Sequence, residues 1–150
     1  MRAFLLGAAL ALWGIASSSS SASATVRISG DPGGQIGAYF AQYIQLRDSG
    51  ENVVIDGPCM SACTLVVSLI PRSRICVTDR ALLGFHAAWT PDDDGRPLPS
   101  WRATKLLYET YPPNVRRWIN RKGGLTPRTI LLRGRELSSM YRSCGVTAER

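Results

Sequence analysis

The sequence lacks several features that would identify a class of protein directly. It has no internal repeat, no nucleic-acid-binding motif and a single histidine, His86, in 150 residues. Its longest apolar run, AFLLGAALALWGIA, is shorter than the roughly 20 residues that a helix needs to cross a bilayer. Acidic residues are scarce in residues 96–150, which carry 12 Lys or Arg but only 3 Asp or Glu. The absence of a repeat argues against a repeat protein, and the absence of a nucleic-acid-binding motif argues against a nucleic-acid-binding protein.

The first 24 residues have the organisation of a secretory signal peptide. Arg2 supplies a positive charge, the apolar run follows, and the small-residue run SSSSSASA ends at Ala22 or Ala24, where cleavage is expected. We therefore predict a signal peptide over residues 1–24, a single domain over residues 25–150, and a periplasmic or secreted location. An uncleaved membrane anchor is the alternative interpretation of the same segment.

All four cysteines of the chain follow this segment, at Cys59, Cys63, Cys76 and Cys144. An even number of cysteines behind a signal peptide is typical of a disulfide-bonded protein from an oxidising compartment. The sequence does not choose among the three pairings that four cysteines allow. Because a Cys-x3-Cys spacing with distant single partners is unsuited to zinc, we expect no metal and no other cofactor.

The charge is unevenly distributed along the chain. Residues 25–95 carry 5 Lys or Arg against 8 Asp or Glu, so the basic excess lies entirely in the second half. A basic half can bind anionic envelope surfaces. However, its basic residues are dispersed, as in NVRRWINRKGG, and this is more typical of a solvated helical face. An anionic envelope surface is therefore an alternative partner, and no nucleic acid is expected.

The apolar pattern up to His86 predicts an α/β protein. Strands are expected at TVRIS, NVVID, RICVT and ALLGFH, the last two forming a pair with DR as their turn. A helix is expected in QIGAYFAQYIQLRDSG, ending near Gly50, and a buried helix in SACTLVVSLI, ending at Pro71. Right-handed crossovers would make the first strands parallel.

The pattern after His86 is looser. TPDDDGRPLPS predicts a polar loop. Helices are expected in WRATKLLYETY, in NVRRWINRKGG with Asn114 as N-cap, and in RELSSMYRSCG.

Parallel strands would bring the DPGG and GPCMSAC loops to one edge of the sheet, where α/β proteins usually have their sites. Acyl transfer needs a nucleophile, a base and donors for an oxyanion, and Ser61, His86 and the backbone N–H groups of Ala62 and of Gly33 or Gly34 could supply them. The alternative interpretation is structural. Ser61 would then be a helix N-cap and Pro-Gly-Gly a simple turn.

Two segments resemble the ClpP/crotonase superfamily. ISGDPGGQIGAYFAQYI is similar to its Ser-Pro-Gly-Gly loop and helix. VVIDGPCMSACTLVVSLIPRSRICVTDRALLGFH is similar to its nucleophile segment, Gly-x-x-x-Ser, a helix and a strand pair ending in the catalytic histidine. Small secreted ClpP-like proteins with Cys-x-Ser-Ala-Cys and Gly-Phe-His are more similar still. The resemblance implies parallel strands with crossover helices, here lacking the usual N-terminal strand region.

By position, the resemblance implies that Ser61 is the nucleophile and His86 its general base, with an oxyanion hole formed by the N–H groups of Gly34 and Ala62. Glu136 is the only carboxylate near the place expected for the family's acid, and it becomes the candidate third member. A secreted or periplasmic serine peptidase acting on peptides or proteins follows, with a homo-oligomer as the usual assembly. A Ser–His dyad or an inactive interaction module is the alternative.

Two of the cysteines lie on either side of the presumed nucleophile. Cys59 precedes Ser61 by two residues and Cys63 follows it by two. We expect each of them to tether this turn to one distant partner, Cys76 or Cys144.

Overall fold

A computed structural model of the chain describes residues 24–145. The segment predicted as a signal peptide, residues 1–24, lies outside this range except for Ala24. The first half contains β1 (Thr25–Ile28), α1 (Ile36–Ser49), β2 (Asn52–Ile55), β3 (Pro58–Met60), a 3₁₀ turn (Ser61–Leu65) that continues into α2 (Val66–Leu69), β4 (Ile75–Val77) and β5 (Leu82–Phe85). The second half contains β6 (Trp89–Pro91), β7 (Pro97–Pro99), α3 (Trp101–Thr110), α4 (Pro113–Arg121), β8 (Ile130–Arg133), α5 (Gly134–Ser138) and β9 (Arg142–Ser143).

The first sheet is parallel and has the strand order β1-β2-β4-β9. Helix α1 connects β1 to β2, and it ends where Gly50 adopts a left-handed φ of 79°. A left-handed glycine is a common way to end a helix, because it has no Cβ to clash. The predicted α/β class, the parallel first strands and the end of α1 are confirmed.

A second sheet has the order β3-β5-β8, with β3 parallel and β8 antiparallel to β5. The predicted pairing of RICVT with ALLGFH was therefore wrong, because β4 and β5 belong to different sheets. The connection between them crosses from one sheet to the other. It is fixed by hydrogen bonds from the Thr78 N–H to the Ile55 carbonyl and from the Leu82 N–H to the Gly57 carbonyl.

Three predictions for the second half are corrected. The polar loop forms the β6–β7 hairpin, whose turn is closed by a hydrogen bond from the Asp92 N–H to the Arg96 carbonyl. Helix α4 has Pro112 rather than Asn114 as its N-cap, and it begins with a second proline, which suits the first helical position. The last helix ends at Ser138, and the chain then extends into β9 beside β4.

All four cysteines are in disulfide bonds, but the expected pairing was wrong. Cys59 pairs with Cys63, because the 3₁₀ turn returns the chain and brings their Cα atoms to 5.3 Å. Cys76 in β4 pairs with Cys144 directly after β9. Two disulfide bonds fit a protein that folds outside the cytoplasm. As for a bilayer, none of the helices within residues 24–145 is both long enough and apolar enough to cross one.

The carboxylate of Asp56 is the main buried charge of the first sheet. Its side chain is 5% exposed and forms ion pairs with Arg80 at 2.7 Å and Arg27 at 2.6 Å. The Thr78 hydroxyl is the third partner and donates a hydrogen bond to it at 2.7 Å. These contacts, led by Arg80 and followed by Thr78, outweigh burial and hold the pKa of Asp56 well below its usual range. Asp56 thereby joins β1, the end of β2 and the segment between β4 and β5.

Replacing Asp56 by Asn should lower the melting temperature at neutral pH and flatten its dependence on pH. Because the folded-state pKa of Asp56 is depressed, its stabilising contribution is complete above the ordinary carboxyl pKa of about 4 and is lost as the pH falls below it. Thermal unfolding followed by circular dichroism, from about pH 7 down to about pH 2, measures this. Asp48→Asn, in an exposed pair with Arg47, is the matched control. An unaltered pH profile in Asp56→Asn would contradict the assignment.

Candidate active site

Ser61 has an unusual backbone conformation. Its φ is 55°, and no other non-glycine residue among residues 24–145 has a positive φ. It follows β3 directly and begins the 3₁₀ turn. A left-handed serine is strained by about 1–3 kcal/mol, and such strain is found mostly where function requires it. The sharp bend between a strand and a helix is also how hydrolases expose a nucleophilic hydroxyl.

Three contacts hold the Ser61 turn in this conformation. The Cys59–Cys63 disulfide closes the turn, and the Thr64 hydroxyl donates to the Ser61 carbonyl at 2.6 Å. Since that hydroxyl has a single proton, the Tyr111 hydroxyl donates to Thr64 at 2.7 Å. Burial raises the pKa of Tyr111 well above its ordinary value, so this hydroxyl keeps its proton.

Sequence reasoning missed both members of this chain of hydrogen bonds. Thr64 could have been found, because a threonine three residues after a turn residue often donates to its carbonyl. Tyr111 lies 47 residues from Thr64 and carries no local signal.

The glycine loop after β1 packs directly against the Ser61 turn. Asp31 pairs with Cys59, and its N–H and carbonyl bond to Pro58 and Met60 at 2.8 Å each. Gly33 has a φ of 82°, and a Cβ added there would lie 2.4 Å from the Met60 carbonyl oxygen and 2.6 Å from the Ser61 Cβ. Only glycine fits this position, which confirms that the two predicted loops share one edge.

Asp31 orders the glycine loop. Its carboxylate accepts hydrogen bonds from the Gly33 N–H at 2.8 Å and the Tyr39 hydroxyl at 2.5 Å. Burial and this carboxylate raise the pKa of Tyr39 to about 12. Within the described part of the chain, the next N–H, of Gly34, donates to no acceptor, and neither does the N–H of Ala62. Both residues line one cavity with Ser61, as an oxyanion hole requires.

His86 directly follows β5, as Ser61 directly follows β3. Met60 pairs with Gly84 in the parallel β3–β5 ladder, so Ser61 and His86 leave the same end of two adjacent strands. Both residues line one cavity, but among the described residues no hydrogen bond joins their side chains. The Nδ1 atom of the imidazole lies 2.7 Å from the Ala87 carbonyl oxygen.

Ser61, Ala62, Gly34 and His86 all line a cavity of about 700 Å³. This volume is in the range of small-molecule and peptide sites. Much of its wall is apolar and includes Ile36, Trp89, Pro91, Leu107 and Tyr111. None of the described residues that line it is Lys, Arg, Asp or Glu. The cavity is therefore suited to a neutral group bound next to the serine.

Glu136 does not reach this site. Leu82 pairs with Arg133 in the antiparallel β5–β8 ladder, so Glu136 lies beyond the start of β5, whereas His86 follows its end. The Trp118 indole and the Lys122 ammonium lower the pKa of Glu136. The indole N–H of Trp118 has no hydrogen-bond partner among the described residues. The ion pair with Lys122, at 3.2 Å, is therefore the main cause of the lowered pKa of Glu136. The structure gives Glu136 a surface ion pair and not a place beside His86.

The described residues contain no group of three His, Cys, Asp or Glu side chains that could hold a metal ion. No family model matches this chain, and no curated protein matches it either. The interpretation of the site therefore depends on its own geometry.

Replacing Gly33 by Ala should destabilise the protein by about 2–4 kcal/mol, because the new Cβ is strained at this φ and overlaps Met60 and Ser61. Chemical denaturation of the oxidised protein measures the change. Gly30→Ala is the matched control, since a Cβ there meets nothing within 4 Å. We expect it to change the stability by less than about 0.5 kcal/mol. Equal stability of the two variants would show that the glycine loop is not packed against Ser61 as described.

Proposed function

We propose that this protein is a secreted or periplasmic serine hydrolase of the ClpP/crotonase type that cleaves peptide or protein substrates. The observation that supports the proposal most is the left-handed Ser61, placed one strand away from His86 over the same cavity. A structural N-cap has no need of a strained backbone, because N-cap residues normally have extended dihedral angles. The strain is explained if the turn serves to present the hydroxyl.

The proposed reaction is acyl transfer through Ser61. The Oγ atom attacks the substrate carbonyl carbon while His86 Nε2 takes the hydroxyl proton. The N–H groups of Gly34 and Ala62 donate to the resulting oxyanion. The intermediate collapses, the C–N bond breaks, and His86 gives its proton to the leaving amine. Water then repeats the sequence on the acyl-enzyme, releasing a carboxylic acid and restoring Ser61.

The ClpP/crotonase assignment is supported by the order of the parts. A parallel strand, a glycine loop with its helix, a serine turn and a strand ending in histidine follow one another, and the two loops meet at one edge. A homo-oligomer belongs to the same proposal. Among residues 24–145, β1 is an edge strand of the first sheet, and the unpaired edge of a sheet can pair with another chain.

A fluorophosphonate probe, which reacts with activated serines, tests the enzyme hypothesis. The mature oxidised protein should be labelled, and Ser61→Ala should abolish labelling. His86→Ala should slow labelling by about 100-fold or more, because general-base catalysis typically contributes this much.

Ser73→Ala is the matched control, since Ser73 is exposed and does not line the cavity. It should label at the wild-type rate. An unlabelled wild-type protein, or a Ser61→Ala variant labelled as strongly as wild type, would exclude a serine hydrolase.

One observation favours a second function, an inactive module that binds anionic envelope components. Eight arginines of the second half form no ion pair with any described carboxylate: Arg102, Arg116, Arg117, Arg121, Arg128, Arg133, Arg135 and Arg142. In the first half, Arg27, Arg47 and Arg80 are paired, and only Arg72 and Arg74 among the described residues are not. An unpaired basic surface can attract anions over a distance set by the ionic strength.

Binding to vesicles of phosphatidylglycerol, compared with phosphatidylcholine, tests this second function. Exchanging Arg116, Arg117 and Arg121 for Glu should weaken binding to the anionic vesicles by at least about 100-fold, since each basic residue contributes about 1 kcal/mol at such a surface. The control is a second triple variant, in which Arg47, Arg72 and Arg96 are exchanged for Glu, so that both variants have the same net charge. Binding that persists at high salt, or that both triple variants lose equally, would contradict a basic docking surface.

A further inference from the structure

The imidazole of His86 has a backbone carbonyl where a hydrolase triad has an acid. Its Nδ1 atom lies 2.7 Å from the carbonyl oxygen of Ala87. A carbonyl oxygen can only accept a hydrogen bond, so this contact is favourable only if Nδ1 carries the proton. The lone pair of the neutral ring is then on Nε2. This is the tautomer that a general base needs if Nε2 is to take a proton from Ser61.

The direction of this carbonyl is fixed from the other side of its peptide group. In a trans peptide the C=O and the following N–H lie in one plane and point in opposite directions. The N–H of Ala88, which shares the plane with the Ala87 carbonyl, donates to the Thr104 hydroxyl at 2.9 Å. The N–H of Ala87 is also held, by the Thr126 carbonyl at 2.8 Å. The peptide cannot rotate away from His86 without breaking the bond to Thr104.

Thr104 is itself held by buried contacts. Thr104 is the fourth residue of α3, and it is buried, with 7% of its surface exposed. Its hydroxyl donates to the Ser100 carbonyl at 2.8 Å, so its oxygen is oriented to accept from Ala88. The Ser100 N–H returns a bond to the Ala88 carbonyl at 2.8 Å. The bonds between residues 88, 100 and 104 form a closed set that joins α3 to the segment after His86.

We propose that the Ala87 carbonyl replaces the acid of a triad, and that Thr104 is the positioning residue that aims it at His86. The catalytic meaning of this inference rests on the proposed hydrolase function, but the geometry does not. A neutral acceptor orients the ring as an acid would, yet it stabilises a protonated imidazole less, because hydrogen bonds between charged groups are about twice as strong. Acyl transfer should therefore be slow.

Nitrogen-15 NMR of the ring tests the inference directly. The chain has a single histidine, so every imidazole signal of the mature, histidine-labelled protein comes from His86. At about pH 9, where an imidazole is neutral, the wild-type ring should be mainly the Nδ1–H tautomer. Thr104→Val, which keeps the shape but removes the hydroxyl, should shift the ring toward Nε2–H. Thr104→Ser should restore the wild-type ratio.

Thr110→Val is the matched control, because Thr110 is also in α3 and its hydroxyl donates to a backbone carbonyl, that of Leu107, at 2.7 Å. It should leave the His86 tautomer unchanged. In a fluorophosphonate assay, the probe should label Ser61 about tenfold more slowly in the Thr104→Val variant than in the Thr110→Val variant. This is the effect expected when a general base loses its orientation. Thr104→Ala, which cannot overpack, replaces the valine variant if that variant is unfolded.

Two results would overturn the inference. One is a wild-type ring that is mainly Nε2–H when neutral, which would refute the carbonyl contact without any variant. The other is a folded Thr104 variant with the wild-type tautomer ratio. Absence of fluorophosphonate labelling in wild type, together with the expected NMR result, would refute the hydrolase function and leave the positioning role of Thr104 intact.

Discussion

The close approach of Gly33 to Ser61 is the constraint on which the rest of this site depends. The glycine loop and the serine turn come from different parts of the chain, and a Cβ at Gly33 would overlap both Met60 and Ser61. Backbone pairing of Asp31 with Cys59 fixes the two loops at this distance. Because the loops touch, the N–H groups of Gly34 and Ala62 can face one cavity. Without this contact, the chain would have a serine turn and a glycine turn but no site.

The second half of the chain completes a site that the first half begins. Helix α3 and the residue after it contribute Leu107 and Tyr111 to the cavity wall, and the Tyr111 hydroxyl supports Ser61 through Thr64. The ring of Tyr111 also packs edge-on against Phe85, the residue before His86. Thr104 holds the peptide that faces His86. One helix therefore positions both the serine and the histidine, which couples their geometry to a single packed element.

The strained Ser61 turn shows how local and distant contacts share one task. The Cys59–Cys63 disulfide is local, and it restricts the turn whatever the rest of the chain does. The hydrogen bond from Thr64 to the Ser61 carbonyl is also local, whereas the one from Tyr111 to Thr64 requires the residue after α3 to pack against the turn. A left-handed residue persists where the surrounding structure over-determines it, and here the disulfide and the two linked hydrogen bonds do so. Folding of the second half is thus part of forming the site.

The α/β class, the parallel first strands, the meeting of the two loops and the candidates Ser61 and His86 could be predicted from the sequence, because hydrophobic periodicity, glycine positions and the succession of strands along the chain are read locally. Which residues and strands contact one another could not be read this way, because these contacts form between distant parts of the folded chain. The pairing of Cys59 with Cys63 follows from the 3₁₀ turn between them, the split of β4 and β5 from the topology of the two sheets, and the separation of Glu136 from His86 from the β5–β8 register. Contacts such as that of Thr104 with Ala88 depend on how α3 docks, and docking leaves no local pattern in the sequence.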